Sequence, residues 1–298
     1  MIYNSPLNCY LVKVKQMKST GFTQNENEEY EKRRTHKKRV RPFFLLIISG
    51  AVLAGAIICI VLANSRDQSV ESEFNQAMAS YAPAAAAPVS ASPAPAASEE
   101  ENIFDRTRKK PDRNIDFNGL AAENGDIIAW VSVPGTDIDY PVVHGEDNEY
   151  YLSHNALKEE SKSGAIFSDM QNTRGFTDPV TVLYGHRMKN GSMFASLHKF
   201  EDEAFFKQNN KIEIYTSVGQ WEYEIFAAYK TDNANILYGR DFHDKEVYQK
   251  YLDSIENIHD LSAHLSGTEL TTDDHILTLS TCVEGEEEQR YVVQAVLR

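Results

Sequence analysis

The hydrophobic positions of this chain change period several times, and each change marks an element. From Phe43 to Ala63 there is no period, because the run is apolar and uncharged throughout. Its length matches the roughly 20 residues that a helix needs to cross a bilayer core, so it is expected to be a transmembrane helix. The hydrophobic signal then fades over residues 64–111. Tyr81 to Ser98 is almost entirely Ala, Pro and Ser, which buries no core and favours extended, semi-rigid chain, so 64–111 reads as a linker. Within it, Ser69 to Ser80 has a composition that allows the apolar helix to continue for some turns. From Asp112 onward, period-2 alternation predicts strands at Ile127 to Val133, Ile138 to Val143, Gly164 to Ser168, Val180 to Tyr184, Lys211 to Ser217, Gln220 to Tyr229, Ile276 to Cys282 and Tyr291 to Leu297. The acidic stretch Glu284 to Glu288 between the last two is expected to be a loop. Helical spacing appears in Asp244 to Ile258, through Val247, Tyr248, Tyr251, Leu252 and Ile255, and in Ser192 to Phe200. Shorter helical pieces are predicted at Asp116 to Asn124, Asn148 to His154 and Glu201 to Gln208. Many short strands without βαβ alternation argue for a mainly antiparallel barrel or sandwich with added helices.

Composition refines this layout. The chain has 298 residues, 42% of them hydrophobic, and a formal net charge of −14. That charge excludes nucleic acid as a general partner. The exception is the basic run Lys32 to Arg41, which lies immediately before the apolar segment. Lys and Arg stay on the cytoplasmic side of a membrane, so the expected layout is a cytoplasmic tail (1–42), an anchor (43–63), the linker (64–111) and an extracellular domain (112–298). A cleaved signal peptide ending at Val61-Leu62-Ala63 is the competing reading. It is disfavoured by an apolar run longer than the roughly 7–15 residues of a signal-peptide core and by the long leader before it.

This topology isolates one thiol. Of the three cysteines, Cys9 falls in the tail, Cys59 in the span and Cys282 alone in the external domain. Cys282 has no partner for an intramolecular disulfide, which leaves it either buried and inert or used for its reactivity. A reactive thiol needs a neighbouring base or cation. Most histidines fit no pattern: His198 lies on a predicted helix, and His243, His259 and His264 sit at or near helix ends. No pair has zinc spacing, and no metal or other cofactor is expected. His186 differs, because it follows Gly185 at the end of a strand, where the backbone can turn and aim the ring at a cleft.

Leu279-Ser280-Thr281-Cys282 with Arg290 resembles the TLxTC…R signature of sortases, the membrane-anchored cysteine transpeptidases of Gram-positive bacteria. Tyr184 to Phe194 is similar to the histidine segment of class B sortases. So are Trp130 to Val143 and the following Asp147-Asn148-Glu149-Tyr150-Tyr151-Leu152, and the helix Asp244 to Ile258 that precedes the cysteine strand. The resemblance covers roughly residues 112–298. It implies an eight-stranded β-barrel with peripheral helices and a two-step acyl transfer. Cys282 would attack a threonine carbonyl in the C-terminal sorting signal of a secreted protein, and a peptidoglycan amine or a pilin lysine would resolve the thioester. His186 is implied as general acid and base, and Arg290 as the oxyanion and substrate-positioning group. By the same similarity, Asn148, Leu152, Tyr184, Ser280 and Ile236 line the substrate groove. The implied partners are proteins with an NPxTN-like or related PxT signal, such as a haem-uptake protein or a pilin.

The glutamates that follow Cys282, namely Glu284, Glu286, Glu287 and Glu288, are expected to oppose formation of a thiolate, since like charges disfavour one another. Two other classes stand beside the transpeptidase reading. L,D-transpeptidases also act on peptidoglycan through cysteine, but they place histidine and cysteine close together in sequence. A membrane-tethered binding module with a degenerate site is the non-enzymatic alternative, opposed by the presence of His186, Cys282 and Arg290 together.

Overall fold

The computed structural model describes residues 24–82 and 103–298. The start of the expected tail (1–23) and the Pro-rich part of the expected linker (83–102) lie outside the described residues. The chain divides into two compact units, Met1–Arg66 and Asp67–Arg298.

Helix α1 (Gln24–Tyr81) carries the basic run and the expected membrane span. Within the expected span, its described apolar side chains Ile57, Ile58, Ile60, Val61 and Leu62 are exposed. Among the described residues no helix is long and apolar enough to cross a membrane. Side chains 34–55, and with them most of Phe43 to Ala63, lie outside the described residues.

In the second unit, α2 (Ile103–Thr107) and α3 (Phe117–Glu123) lead into β1 (Ile127–Ser132), β2 (Asp139–Val143), β3 (Ile166–Ser168) and β4 (Val180–Tyr184). Helix α4 (Glu203–Gln208), β5 (Lys211–Thr216), β6 (Gly219–Asp232), α5 (Lys245–Glu256), β7 (His264–Leu265), β8 (Ile276–Val283) and β9 (Glu286–Leu297) follow. The sheet order is β5-β1-β2-β3-β4-β8-β9-β6-β7, and a further β5–β6 pairing closes it. Eight strands therefore form a barrel, and the two-residue β7 is appended to β6. This is the mainly-β barrel expected from the strand pattern. The pairings are antiparallel except β2–β3 and β4–β8.

Period-2 alternation divides the barrel wall into two faces. Leu277, Leu279, Tyr291, Val293, Ala295 and Leu297 point into the barrel, with Leu183 from β4. Val182, Ile276, Val292 and Val296 point outward, under the amphipathic face of α5 formed by Tyr248, Tyr251, Leu252 and Ile255. Asp244 caps α5 by accepting from the Glu246 and Val247 amides, which satisfies donors the first helical turn leaves over. Buried Gln294 fastens the helix to the wall: its side-chain amide donates to the Tyr251 hydroxyl (2.7 Å) and to Thr278 (3.0 Å), and its oxygen accepts from Tyr229 (2.9 Å).

Four features differ from the sequence reading. The linker was expected to run to residue 111, yet the second unit starts at Asp67. The end of α1 buries Phe74 and Met78, with Ala82 after it, against Leu120, Ile127, Trp130 and Tyr151. Three apolar contacts spread among polar residues left no strong periodic signal. Phe194–Glu201 is a 3-10 helix rather than an α-helix; Phe194, Leu197 and Phe200 recur every third residue, which suits its three residues per turn. Strand β6 runs to Asp232, beyond the expected Tyr229. The fourth is the acidic segment. Its turn is only Glu284-Gly285, with Gly285 at φ +76, and β9 already begins at Glu286. The glutamates misled because charged residues are also compatible with the exposed edge of a strand.

Candidate active site

Two strands paired in parallel create the site. β4 and β8 run side by side, with Tyr184 opposite Ser280. The ladder extends past β4, where the Gly185 amide donates to the Ser280 carbonyl (3.2 Å) and the Thr281 hydroxyl donates to the Gly185 carbonyl (2.8 Å). His186 and Cys282 each lie two residues beyond that Tyr184–Ser280 pair, and both line one cavity. Cys282 stands opposite Arg290 across the β8–β9 ladder. Alternation puts Tyr184, Ser280, Cys282, Arg290 and Val292 on the outward face of the wall, where an open cavity of about 240 Å³ lies over them.

Every site residue anticipated from sequence lines that cavity: Cys282, His186, Arg290, Asn148, Leu152, Tyr184, Ser280 and Ile236. The Cys282 side chain is free of disulfides and exposed. His186 is half-buried, and its Nε2–H donates to the Leu152 carbonyl at 2.7 Å. The Leu152 side chain itself is 43% exposed at the rim. Arg290 donates from Nη1 to the Gln289 carbonyl at 2.9 Å. Burial, then the nearby Asp169 carboxylate, push the Tyr184 hydroxyl well above its ordinary range, while the Arg290 guanidinium acts the other way.

Gly185 serves a purpose other than the one the sequence suggested. Its backbone is not left-handed. A Cβ there would come within 2.4 Å of Ile166 and 2.8 Å of the Phe194 ring, so glycine is required for close packing. Gly185→Ala is expected to destabilise the domain by ~1–3 kcal/mol through overpacking. By shifting His186, it should also slow peptide cleavage by about tenfold or more, since catalytic misplacement of ~1 Å costs up to 100-fold. Calorimetry and steady-state kinetics on one preparation check both effects. An alanine variant with wild-type turnover would show that the packing constraint does not reach the histidine.

Three of the four acidic residues are partnered, and the side chain of Glu287 lies outside the described residues. Arg187, next to His186, bridges Glu284 at 2.7 Å, and Lys230 bridges Glu286 at 3.0 Å. The Asn233 amide donates to Glu288 at 2.8 Å. The carboxylates expected to oppose the thiolate are thus offset in part by cations and amide donors from neighbouring elements. The Arg187 hydrogen bond, aided by its charge, holds the Glu284 carboxyl below its usual range. A carboxyl whose folded value is lowered contributes stability above its unfolded value, about 4.3 for Glu, and loses it as pH falls through the folded value. Wild type is therefore expected to melt slightly above Glu284→Gln at pH 7, and the gap should close in acid. The pair is exposed, so added salt should shrink the gap as well. A gap of equal size at both pH values would rule out the bridge as its source.

Three residues near the site escaped the sequence reading. His198, which fits no sequence pattern, lies 3.1 Å from the Cys282 carbonyl through Nε2 and 2.7 Å from Glu201 through Nδ1, stacked on Tyr291. Asn235 lines the cavity beside Ile236. Asp169, fully buried just after β3, accepts from Asn148, Tyr184 and Asn235. Each depends on contacts between segments far apart in the chain, which no local motif encodes.

Comparison with known proteins agrees with this geometry. The sortase domain model matches residues 131–298. Sortase B of Listeria monocytogenes is 36% identical over 184 residues, covering 61% of this chain and 74% of that protein. Among solved structures, Bacillus anthracis sortase B in complex with AAEK1 superposes with a TM-score of 0.56 at 35% identity, covering 64% of this chain and 88% of that one. A Staphylococcus aureus sortase B–substrate complex gives 0.55 at 31% identity, covering 61% and 84%. With the family model matching more than half of its length, the chain belongs to the sortase family of cysteine transpeptidases, within its class B branch.

Proposed function

We infer that this enzyme is anchored in a cell membrane by residues 43–63, with its catalytic unit outside, and that it attaches secreted proteins covalently to an amine of the cell wall or to a pilin lysine. The observation that carries the chemistry is the placement of thiol, imidazole and guanidinium around one cavity, with Cys282 and Arg290 paired across the β8–β9 ladder. In the first step Cys282 Sγ, as the thiolate beside a protonated His186, forms a bond to the carbonyl carbon of a sorting-signal threonine. The C–N bond to the next residue breaks, and His186 delivers a proton to the leaving amine. In the second step His186 takes a proton from the incoming amine as its nitrogen bonds to the thioester carbon and the sulfur leaves. Arg290 holds the substrate backbone and stabilises the oxyanion of each tetrahedral intermediate. Asn148, Leu152, Tyr184, Ser280 and Ile236 form the groove for an NPxTN-like or related PxT signal. The binding of a substrate by Staphylococcus aureus sortase B supports this use of the cleft.

The anchor reading is supported by the uncharged run behind a basic cluster and by the exposed apolar residues Ile57 to Leu62 of α1. Protease added to wall-stripped cells is expected to remove the domain and spare the N-terminal tail. Recovery of soluble protein beginning at Asn64 from the medium would overturn the anchor. For the chemistry, the catalytic unit is mixed with a peptide library and intact mass is read for a thioester on Cys282, with the released fragment giving the cleavage site. The absence of any adduct across PxT-containing peptides would overturn the sorting-signal reading.

A further inference from the structure

Beneath the cavity lies a buried anion with no part in the acyl transfer as described. Asp169 is fully buried. Its Oδ2 accepts from Asn148 Nδ2 (3.0 Å), the Tyr184 hydroxyl (3.0 Å) and Asn235 Nδ2 (2.8 Å), while Oδ1 accepts from the Gln171 amide (2.9 Å). All three side-chain donors belong to residues that line the cavity, and they come from three separate elements: the loop after β2, the end of β4 and the loop after β6. A buried charge is costly unless hydrogen-bonded, and bonds to an ionised group are roughly twice as strong as neutral ones. The carboxylate therefore ties three segments together at one point.

It also fixes their polarity. An ionised carboxylate only accepts, so both asparagines must turn their NH2 groups toward it. Their oxygens are already committed to backbone donors. Asn148 Oδ1 accepts from the Met170 amide (2.8 Å), and Asn235 Oδ1 accepts from the Leu237 (2.8 Å) and Tyr238 (3.1 Å) amides. With both ends constrained, neither amide can flip. Each keeps one further N–H, and each residue faces the cavity. We propose that Asp169 is a positioning residue that turns this wall of the cleft into a row of fixed amide donors, which select an extended peptide through its backbone carbonyls. The proposal rests on the reading of the cavity as a peptide-binding groove.

The test is Asp169→Asn, which keeps shape but removes the charge and places an NH2 among donors. Losing hydrogen bonds to a charged group is expected to raise KM for the best library peptide about tenfold or more, with kcat within about threefold of wild type. Alkylation of Cys282 by iodoacetamide should be unchanged. In 15N-labelled protein, the side-chain NH2 protons of Asn148 and Asn235 should lose their exchange protection. An unchanged KM, or a fall in kcat and alkylation at constant KM, overturns the proposal and leaves Asp169 a structural support. If the Asn variant does not fold, Asn235→Ala and Asn148→Ala at intact Asp169 must each raise KM in the same selective way, and failure to do so is equally fatal. A wild-type enzyme that cleaves no peptide defeats the groove reading instead, and the exchange measurement alone then decides whether Asp169 orients the amides.

Discussion

Replacing Cys282 with alanine is expected to remove both the acyl-enzyme and peptide cleavage, with a loss on the order of 10⁶ in turnover, the scale seen when a nucleophile is deleted from a covalent mechanism. The other two cysteines, Cys9 and Cys59, both lie within residues 1–66, so the catalytic unit has no other thiol. Cys282 occupies the last outward-facing position of β8 before the ladder with β9 becomes irregular at Val283. Its side chain is exposed, and Arg290 is its cross-strand neighbour. Deleting the sulfur from an exposed position removes little packing, so the melting temperature should hardly change. Intact-mass spectrometry and chromatography of the peptide products read the chemistry. Cleavage at an undiminished rate in the alanine variant would mean that another group attacks the carbonyl and that the cavity has been misassigned.

The residues needed for this argument were legible in the sequence to different degrees. Strand β8 announced itself through alternation, and the same alternation fixes which side chains face outward, so Ser280 and Cys282 fell on one face as expected. Arg290 was anticipated through the resemblance to the TLxTC…R signature, although β9 begins before it, at Glu286. His186 was marked by its place after Gly185 at a strand end, and the structure adds that glycine is needed there for close contact with Ile166 and Phe194. What periodicity cannot carry is pairing across long stretches of chain. The parallel contact of β4 with β8 joins residues nearly a hundred positions apart, and it leads the histidine segment to the end of the cysteine strand. Asp169 and His198 were invisible for the same reason, since their roles lie in partners contributed by distant loops. The packing of Phe74 and Met78 was obscured by a segment whose polar and small residues dominate its composition.

The electrostatics of the site also follow from pairing across elements. Read along the chain, Glu284 to Glu288 looks like a block of uncompensated charge beside the nucleophile. In three dimensions Arg187 comes from the histidine loop, while Lys230 and Asn233 come from the end of β6 and the loop after it. All three contacts tie the β8–β9 hairpin, which carries Cys282 and Arg290, to neighbouring segments. The effect of a charge near a catalytic group is thus set by what it pairs with, and sequence distance is a poor guide to that.

His186→Ala is expected to lower kcat by about 10² to 10⁴, the range that a positioned acid–base group supplies. The existing contact identifies the nitrogen involved. A carbonyl only accepts, so the 2.7 Å contact with Leu152 places a proton on Nε2, and in the neutral ring Nδ1 is then the nitrogen able to receive one. Leu152 lines the cavity. The bond that orients the ring is therefore anchored in the cavity wall. This separates two roles that alanine alone would confuse. Glutamine at position 186 can still donate to the Leu152 carbonyl and fill part of the space, but it cannot shuttle a proton. If His186 acts as acid and base, His186→Gln should be nearly as slow as His186→Ala, with iodoacetamide alkylation of Cys282 retained in both. Single-turnover measurement of thioester formation, followed by its release on adding a primary amine, should show both steps slowed, because each needs a proton moved at the same nitrogen. A glutamine variant that turns over near the wild-type rate would reduce His186 to a spacer, and the proton would then have to travel through water or another side chain of the cleft.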